Sequence, residues 1–175
     1  MRFFYRRPVG PGFALVGDAG HFKDFVTGQG MTDALLDAER LAPAILDGRE
    51  AAFQKFWYER DVETMPLHFD AIRQGKVGYN DAFLRLIFSQ FKSRPDILTK
   101  IALLNERQVS PYDLVPVGTM LPWIGSALLR GRFDVLRGFF ATGKAIGDEQ
   151  KEIALRKKKL DEIVAELSEP SRVAA

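Results

Sequence analysis

The chain has 175 residues, enough for one ordinary domain and its core. With 46% hydrophobic and 27% charged residues it is globular rather than disordered, and a net charge of +2 is too small to argue for nucleic acid or an acidic membrane surface. Cysteine is absent and there are only two histidines, His21 and His68, which leaves no disulfide, no thiolate chemistry and no case for a histidine metal centre. Lack of cysteine fits a cytoplasmic protein. No secretory leader pattern opens the chain, and the longest uncharged run, 114–129, is too short to span a bilayer.

In chain order, residues 1–7 are a short extended candidate and 8–12, with Pro8, Gly10, Pro11 and Gly12, read as a loop. The apolar run 13–16 predicts a buried-type strand, as in a sheet covered on both faces. Its backbone groups need strand partners, which lie either in residues 1–9 or on other polypeptide. A long loop, 17–30, carries Gly17, Gly20, Gly28 and Gly30. Helical spacing follows over 31–46, with Asp33 in the first turn, Asp47-Gly48 as its end, and Pro43 predicting a kink or an early stop.

A second helix is expected over 50–64, broken or bent at Pro66 and resumed over 67–73. Asn80 is a candidate N-cap for a helix carrying Phe83, Leu84, Ile87, Phe88 and Phe91. Another starts at Ser93-Arg94-Pro95-Asp96. Ser110-Pro111-Tyr112-Asp113 reads as a capped helical turn. Helices are expected from Pro122 through Leu129, over 133–140, and over 148–167, the last with a stripe of Ile153, Leu160, Ile163, Val164 and Leu167 that packs on its own chain. The basic run Arg156-Lys157-Lys158-Lys159, flanked by acids, is a solvated helix face.

The stretch with chemistry in it is Gly17-Asp18-Ala19-Gly20-His21 through Gly28-Gln29-Gly30-Met31-Thr32-Asp33. A carboxylate at a strand end, Asp18, accepts hydrogen bonds and suits ribose or ribityl hydroxyls. Glycines at 28 and 30 let backbone approach a ligand closely. The N–H groups of Gly30, Met31 and Thr32 open a helix and attract negative charge. A dinucleotide fingerprint fails because Asp33 stands where its last glycine belongs, and no phosphate-loop Gly-Lys-Ser/Thr triplet occurs. The spacing alone leaves open a purely structural loop with a capping acid.

Residues 10–21, the run Val26-Thr27-Gly28-Gln29-Gly30-Met31-Thr32-Asp33-Ala34, and Asp37-Ala38-Glu39-Arg40-Leu41-Ala42 together resemble the second FAD motif of the class A flavoprotein monooxygenases, the group that includes para-hydroxybenzoate hydroxylase, tryptophan halogenases and geranylgeranyl reductases. The likeness covers about 6–46 and trails off through Tyr58-Glu59-Arg60-Asp61 and Pro66. It implies that 1–48 is a strand–loop–helix remnant of an FAD-binding, Rossmann-like α/β domain; with the helical spacing read above, which makes 49–168 a helical C-terminal region, and a frayed tail over 169–175, the chain is expected to be mainly α. It also implies FAD as cofactor. Gly17, Asp18, Gly28, Gln29, Gly30, Met31 and Thr32 would be the cofactor-binding residues, with Asp18 on a ribityl hydroxyl and the 30–32 backbone at the pyrimidine edge of the ring. No residue is assigned as a catalytic acid or base.

Two departures matter. Phe25 stands where the family usually has a proline against the flavin, which puts oxygen activation in doubt. The N-terminal Gly-x-Gly-x-x-Gly unit that holds the ADP half of FAD is missing, so the chain reads as the C-terminal, truncated portion of an oxidoreductase, binding FAD weakly or not at all alone. The alternatives are a partner protein completed by another chain and a non-catalytic relic. The substrate is a small molecule, aromatic or lipid-like if the 80–140 region lines its cavity. An ordinary helical core is the plainer reading of that region.

Overall fold

The computed structural model describes residues 3–23, 28–75 and 82–168. The expected Asn80 cap and Phe25 lie outside them. The chain is mainly α: short strands near the N-terminus, then six α-helices. It divides into two compact units, one of residues 1–75 with 151–175 and one of residues 76–150.

In the first unit, β1 (Phe4–Tyr5) pairs antiparallel with β4 (His21–Phe22), setting Phe4 opposite Phe22 and Tyr5 opposite His21. β2 (Val9–Gly10) pairs antiparallel with β3 (Phe13–Ala14). Pro11 and Gly12 turn this hairpin, Gly12 at φ 77°, the positive value that a turn with proline before glycine demands. The strand expected over 13–16 is thus shorter, is antiparallel, and leaves Phe13 half exposed rather than covered on both faces. Its partner comes from the segment read as a loop, and the long glycine loop contains a strand, β4, and a 3-10 turn, Gly17–Ala19. Two-residue strands carry too little periodicity to be seen in sequence.

α1 (Gly30–Asp47) runs through Pro43 without the early stop and ends, as expected, at Gly48, whose φ of 75° caps it. α2 (Glu50–Gly75) is one helix of 26 residues with Pro66 inside it. A core of Val9, Ala44, Ala52 and Phe56 ties the hairpin to both helices, with Leu41, Phe53 and Trp57 around it.

In the second unit, α3 (Ala82–Gln90), α4 (Pro95–Asn105) and α5 (Val117–Leu129) enclose Phe83, Ile87, Ile97, Val115, Ile124, Ala127 and Val135. Pro95 is the first residue of α4, where a missing N–H costs nothing. The Ser110 hydroxyl accepts from the Tyr112 N–H at 3.3 Å, the expected cap of a 3-10 turn. α5 starts at Val117, five positions ahead of the expected Pro122. α6 (Asp134–Ser168) is a single helix of 35 residues through Gly138, Gly143 and Gly147, where two helices were expected. A helical glycine costs only about 1 kcal/mol, less than breaking a long run of good helix formers. Ile163 of its stripe is buried and Arg156 bonds Asp61, so the distal part of α6 packs on its own chain.

Candidate functional site

The 3-10 turn at Gly17–Ala19 delivers Asp18 to the start of α1. Gly17 makes this turn possible in two ways. Its φ is 54°, and a methyl group there would lie 2.7 Å from the Ala34 side chain. Its N–H donates to Asp37 Oδ2 at 2.9 Å, so a buried carboxylate on α1 pins the turn from below.

Asp18 itself is exposed. A methyl group on Gly30, the first residue of α1, would sit 3.3 Å from the Asp18 carboxylate. Carboxylate and helix start therefore share one open cleft of about 410 Å³, lined by Asp18, Phe22, Lys23, Gly28, Gly30 and Met31. Gly28 has φ 63°, a second backbone position that favours glycine. The first N–H groups of α1 have no partner within the helix, and the side chain of the N-cap residue Gln29 does not bond them. The cleft thus offers an acceptor-only carboxylate at one wall and the positive end of an 18-residue helix at the other.

Of the residues predicted from sequence, Asp18, Gly28, Gly30 and Met31 line the cleft. Gly17 is buried beneath it and Gln29 is buried at the cap, its Oε1 without a hydrogen bond. Thr32, in the first turn of α1, is exposed and does not line the cleft.

Behind the cleft lies a buried ionic cluster that sequence reading missed. His21 Nε2 is 3.3 Å from Asp33 Oδ2 and its Nδ1 3.9 Å from Asp37 Oδ2. Lys23 pairs with Asp33. On α2, Arg60 donates to Asp61 Oδ1 at 2.6 Å and to the Arg6 carbonyl at 2.9 Å. Asp61 also accepts from Trp57 at 3.0 Å and from Arg156 at 2.8 Å. Tyr5 bonds Thr64 and stands edge-on to His68. Gly20 makes room for this cluster, since a methyl group there would meet Arg60 at 2.7 Å. The available signal was the spacing of Asp33, Asp37 and Arg40, one helix face opposite the apolar stripe.

Burial sets the titration of this cluster. It raises the Asp37 carboxyl above the usual range, against the pull of the Gly17 N–H and the charges of His21 and Arg60. It raises Asp61 despite Arg60 and Arg156, and raises Tyr5. It pushes His68 down to about 4, helped by the positive charges of His21 and Lys23.

α1 turns its polar residues Asp33 and Asp37 inward and carries Met31, Leu35, Ile45 and Leu46 exposed, Met31 at 81%. Among the described residues no helix is long and apolar enough to cross a membrane. Compared with family models, with curated proteins and with solved structures, the chain matches none.

Proposed function

We propose that this chain is the flavin-facing, C-terminal portion of an FAD-dependent, monooxygenase-like oxidoreductase. The observation that carries the reading is the Asp18 carboxylate set beside the start of α1 in one cleft. A carboxylate that only accepts suits a chain of hydroxyls, and a helix N-terminus suits the negative edge of a reduced ring. These are the two recognition needs of the ribityl–isoalloxazine half of FAD, and glycines at 28 and 30 leave its approach open. FAD, when held here, supplies the two-electron and oxygen chemistry.

The chain's own residues bind and orient. Asp18 takes hydroxyl hydrogen bonds, and the first turn of α1 stabilises negative charge without a moving proton. Asp37, through Gly17, holds Asp18 in register with Gly30 as a positioning residue. Lys23 places a buried cation in the cleft wall while paired to Asp33.

No Gly-x-Gly-x-x-Gly occurs in the sequence, so the ADP half of the cofactor is held by polypeptide outside these residues. The uncovered apolar stripe of α1 supports that reading, since residues at helical spacing such as Met31 and Leu35 are rarely left to water together. Affinity of the isolated chain for FAD is correspondingly weak.

The test is therefore residue-resolved rather than a purification yield. Millimolar FMN, which has the ring and ribityl chain without the ADP half, should shift the amide resonances of Asp18, Gly28, Gly30, Met31 and Thr32. Asp18→Ala should abolish those shifts. Shifts that map elsewhere, or none at saturation, would sink the proposal.

A further inference from the structure

The small net charge of the chain hides an asymmetry. Between 114 and 147 stand four cations, Arg130, Arg132, Arg137 and Lys144, and one acid, Asp134, amid mostly apolar residues. Charges beyond about 8–10 Å are screened at physiological salt, so a surface responds to this local excess and not to the total.

The same stretch exposes its apolar residues. α5 has no charged side chain at all. Its 3.6-residue turn puts Gly118, Leu121, Pro122, Gly125 and Leu129 on one side, while Ile124 and Ala127 point into the core. Leu129 is 92% exposed and Phe133 69%, on either side of the turn Arg130-Gly131-Arg132. From Phe133, the residue just before α6, through the helix's first turns, Phe133, Arg137, Phe140 and Lys144 recur at spacings of four, three and four, all exposed, so aromatic and cationic side chains share one face. Val135 and Gly138 face the other way and are buried.

We infer that this tip, the end of α5 with the start of α6, is a docking surface for an anionic lipid bilayer, on which the chain lies without crossing. Apolar side chains that enter the acyl boundary, flanked by long cations that reach back to headgroups, are what an interfacial surface requires. Charge selects this occupant over a second copy of the chain. A twofold contact would bring this net-positive patch against an identical one, and its one acid, Asp134, already lies 4.0 Å from Arg132. The inference is independent of the flavin reading.

Flotation of the full chain with vesicles decides it. Partition into phosphatidylcholine containing one third phosphatidylglycerol should exceed partition into phosphatidylcholine alone by at least about tenfold. It should weaken steeply as salt is raised, a readout that needs no variant. Arg130→Gln with Arg132→Gln should cost about 30-fold, the equivalent of about 1 kcal/mol per cation. Leu129→Ser with Phe133→Ser should cost on the order of 100-fold. Equal partition into both vesicle types, or indifference to both double variants, overturns the inference. So does a concentration-dependent dimer that Leu129→Ser with Phe133→Ser abolishes while no vesicle binding is seen.

Discussion

In the first unit, Arg60, Asp61, Asp33, Asp37 and His21 occupy buried positions of the kind that Phe83, Ile97, Val115, Ile124 and Val135 fill in the second. Among the described residues of the second unit no charged residue is buried, and apolar side chains are exposed at its tip. An apolar core is non-directional and tolerates small shifts. A buried ionic cluster pays desolvation and is stable only when every partner is in place. The cluster therefore fixes geometry more than it adds stability: Arg60 ties α2 to the Arg6 carbonyl beside β1, and Asp37 ties α1 to the Gly17 turn.

The sharpest way to break this contrast is to remove one ionic partner. Asp61→Ala leaves Arg60 buried without its carboxylate partner, strands the Trp57 N–H, and takes from Arg156 one of its two carboxylates, the other being Glu152 at 3.5 Å. A loss of about 3–5 kcal/mol is expected, read by urea unfolding with amide exchange followed in each unit. A loss below about 1 kcal/mol would show the cluster to be solvated in practice.

Proton linkage gives the next effect. His68 is buried and held neutral, with its value lowered from 6.5 to about 4, mainly by burial and then by His21 and Lys23. Between those values the unfolded chain binds a proton that the folded chain does not. This term is therefore fully favourable above pH 6.5 and is lost as pH falls toward 4, by at most about 3 kcal/mol. Asp37 and Asp61 have raised folded values and act with the opposite sign, stabilising most at low pH and losing that contribution as pH rises. The difference between wild type and His68→Gln isolates the histidine: the variant's stability should fall less between pH 6.5 and 4. Identical slopes would mean His68 protonates in place.

Gly17→Ala should cost about 2–3 kcal/mol, from a positive φ and a methyl group pressed on Ala34. It should also move the amide resonances of Asp18 and Gly30, because the turn that aligns them is displaced. Gly12→Ala is the control. It too has positive φ, but nothing lies within 4 Å, so it keeps the cleft unchanged at a smaller cost.

Much of this was legible in the residues, and what was not has common causes. The mainly helical chain, the end of α1 at Asp47-Gly48, the proline start of α4 and the Ser110 turn rest on local rules that tertiary packing does not override. Boundaries set by a single breaker were read too strongly. Pro43, Pro66 and Pro122 lie inside helices, and three glycines lie inside α6, because a local cost of a few kcal/mol is offset by the packing of the whole element. The strands are too short to announce themselves and are held by non-local partners. Asp18, Gly28 and Gly30 could be picked from spacing. The spacing of Asp33 and Asp37 marks a polar face of α1 but not what Asp37 holds, and Lys23 and Arg60 carry no such signal, since these roles depend on contacts across 20 or more positions or on burial that no spacing reveals.

In the second unit, Ile97→Val removes one methyl from an apolar core and should cost about 1 kcal/mol, well under the price of Asp61→Ala. The smallest expected effect lies at the tip. Leu129→Ser and Phe133→Ser remove large apolar groups, yet both side chains are mainly in water in the folded chain, so little buried area is lost. Each should shift stability by less than about 0.5 kcal/mol in urea unfolding, and the pair together by less than Ile97→Val. That near-silence separates the two sorts of apolar residue in this unit. A side chain that holds the fold shows its value in unfolding, whereas one kept at the surface for a bilayer shows it only when vesicles are present. If Leu129→Ser instead cost 2 kcal/mol or more, the tip would be part of the core and its exposure would no longer call for an external partner.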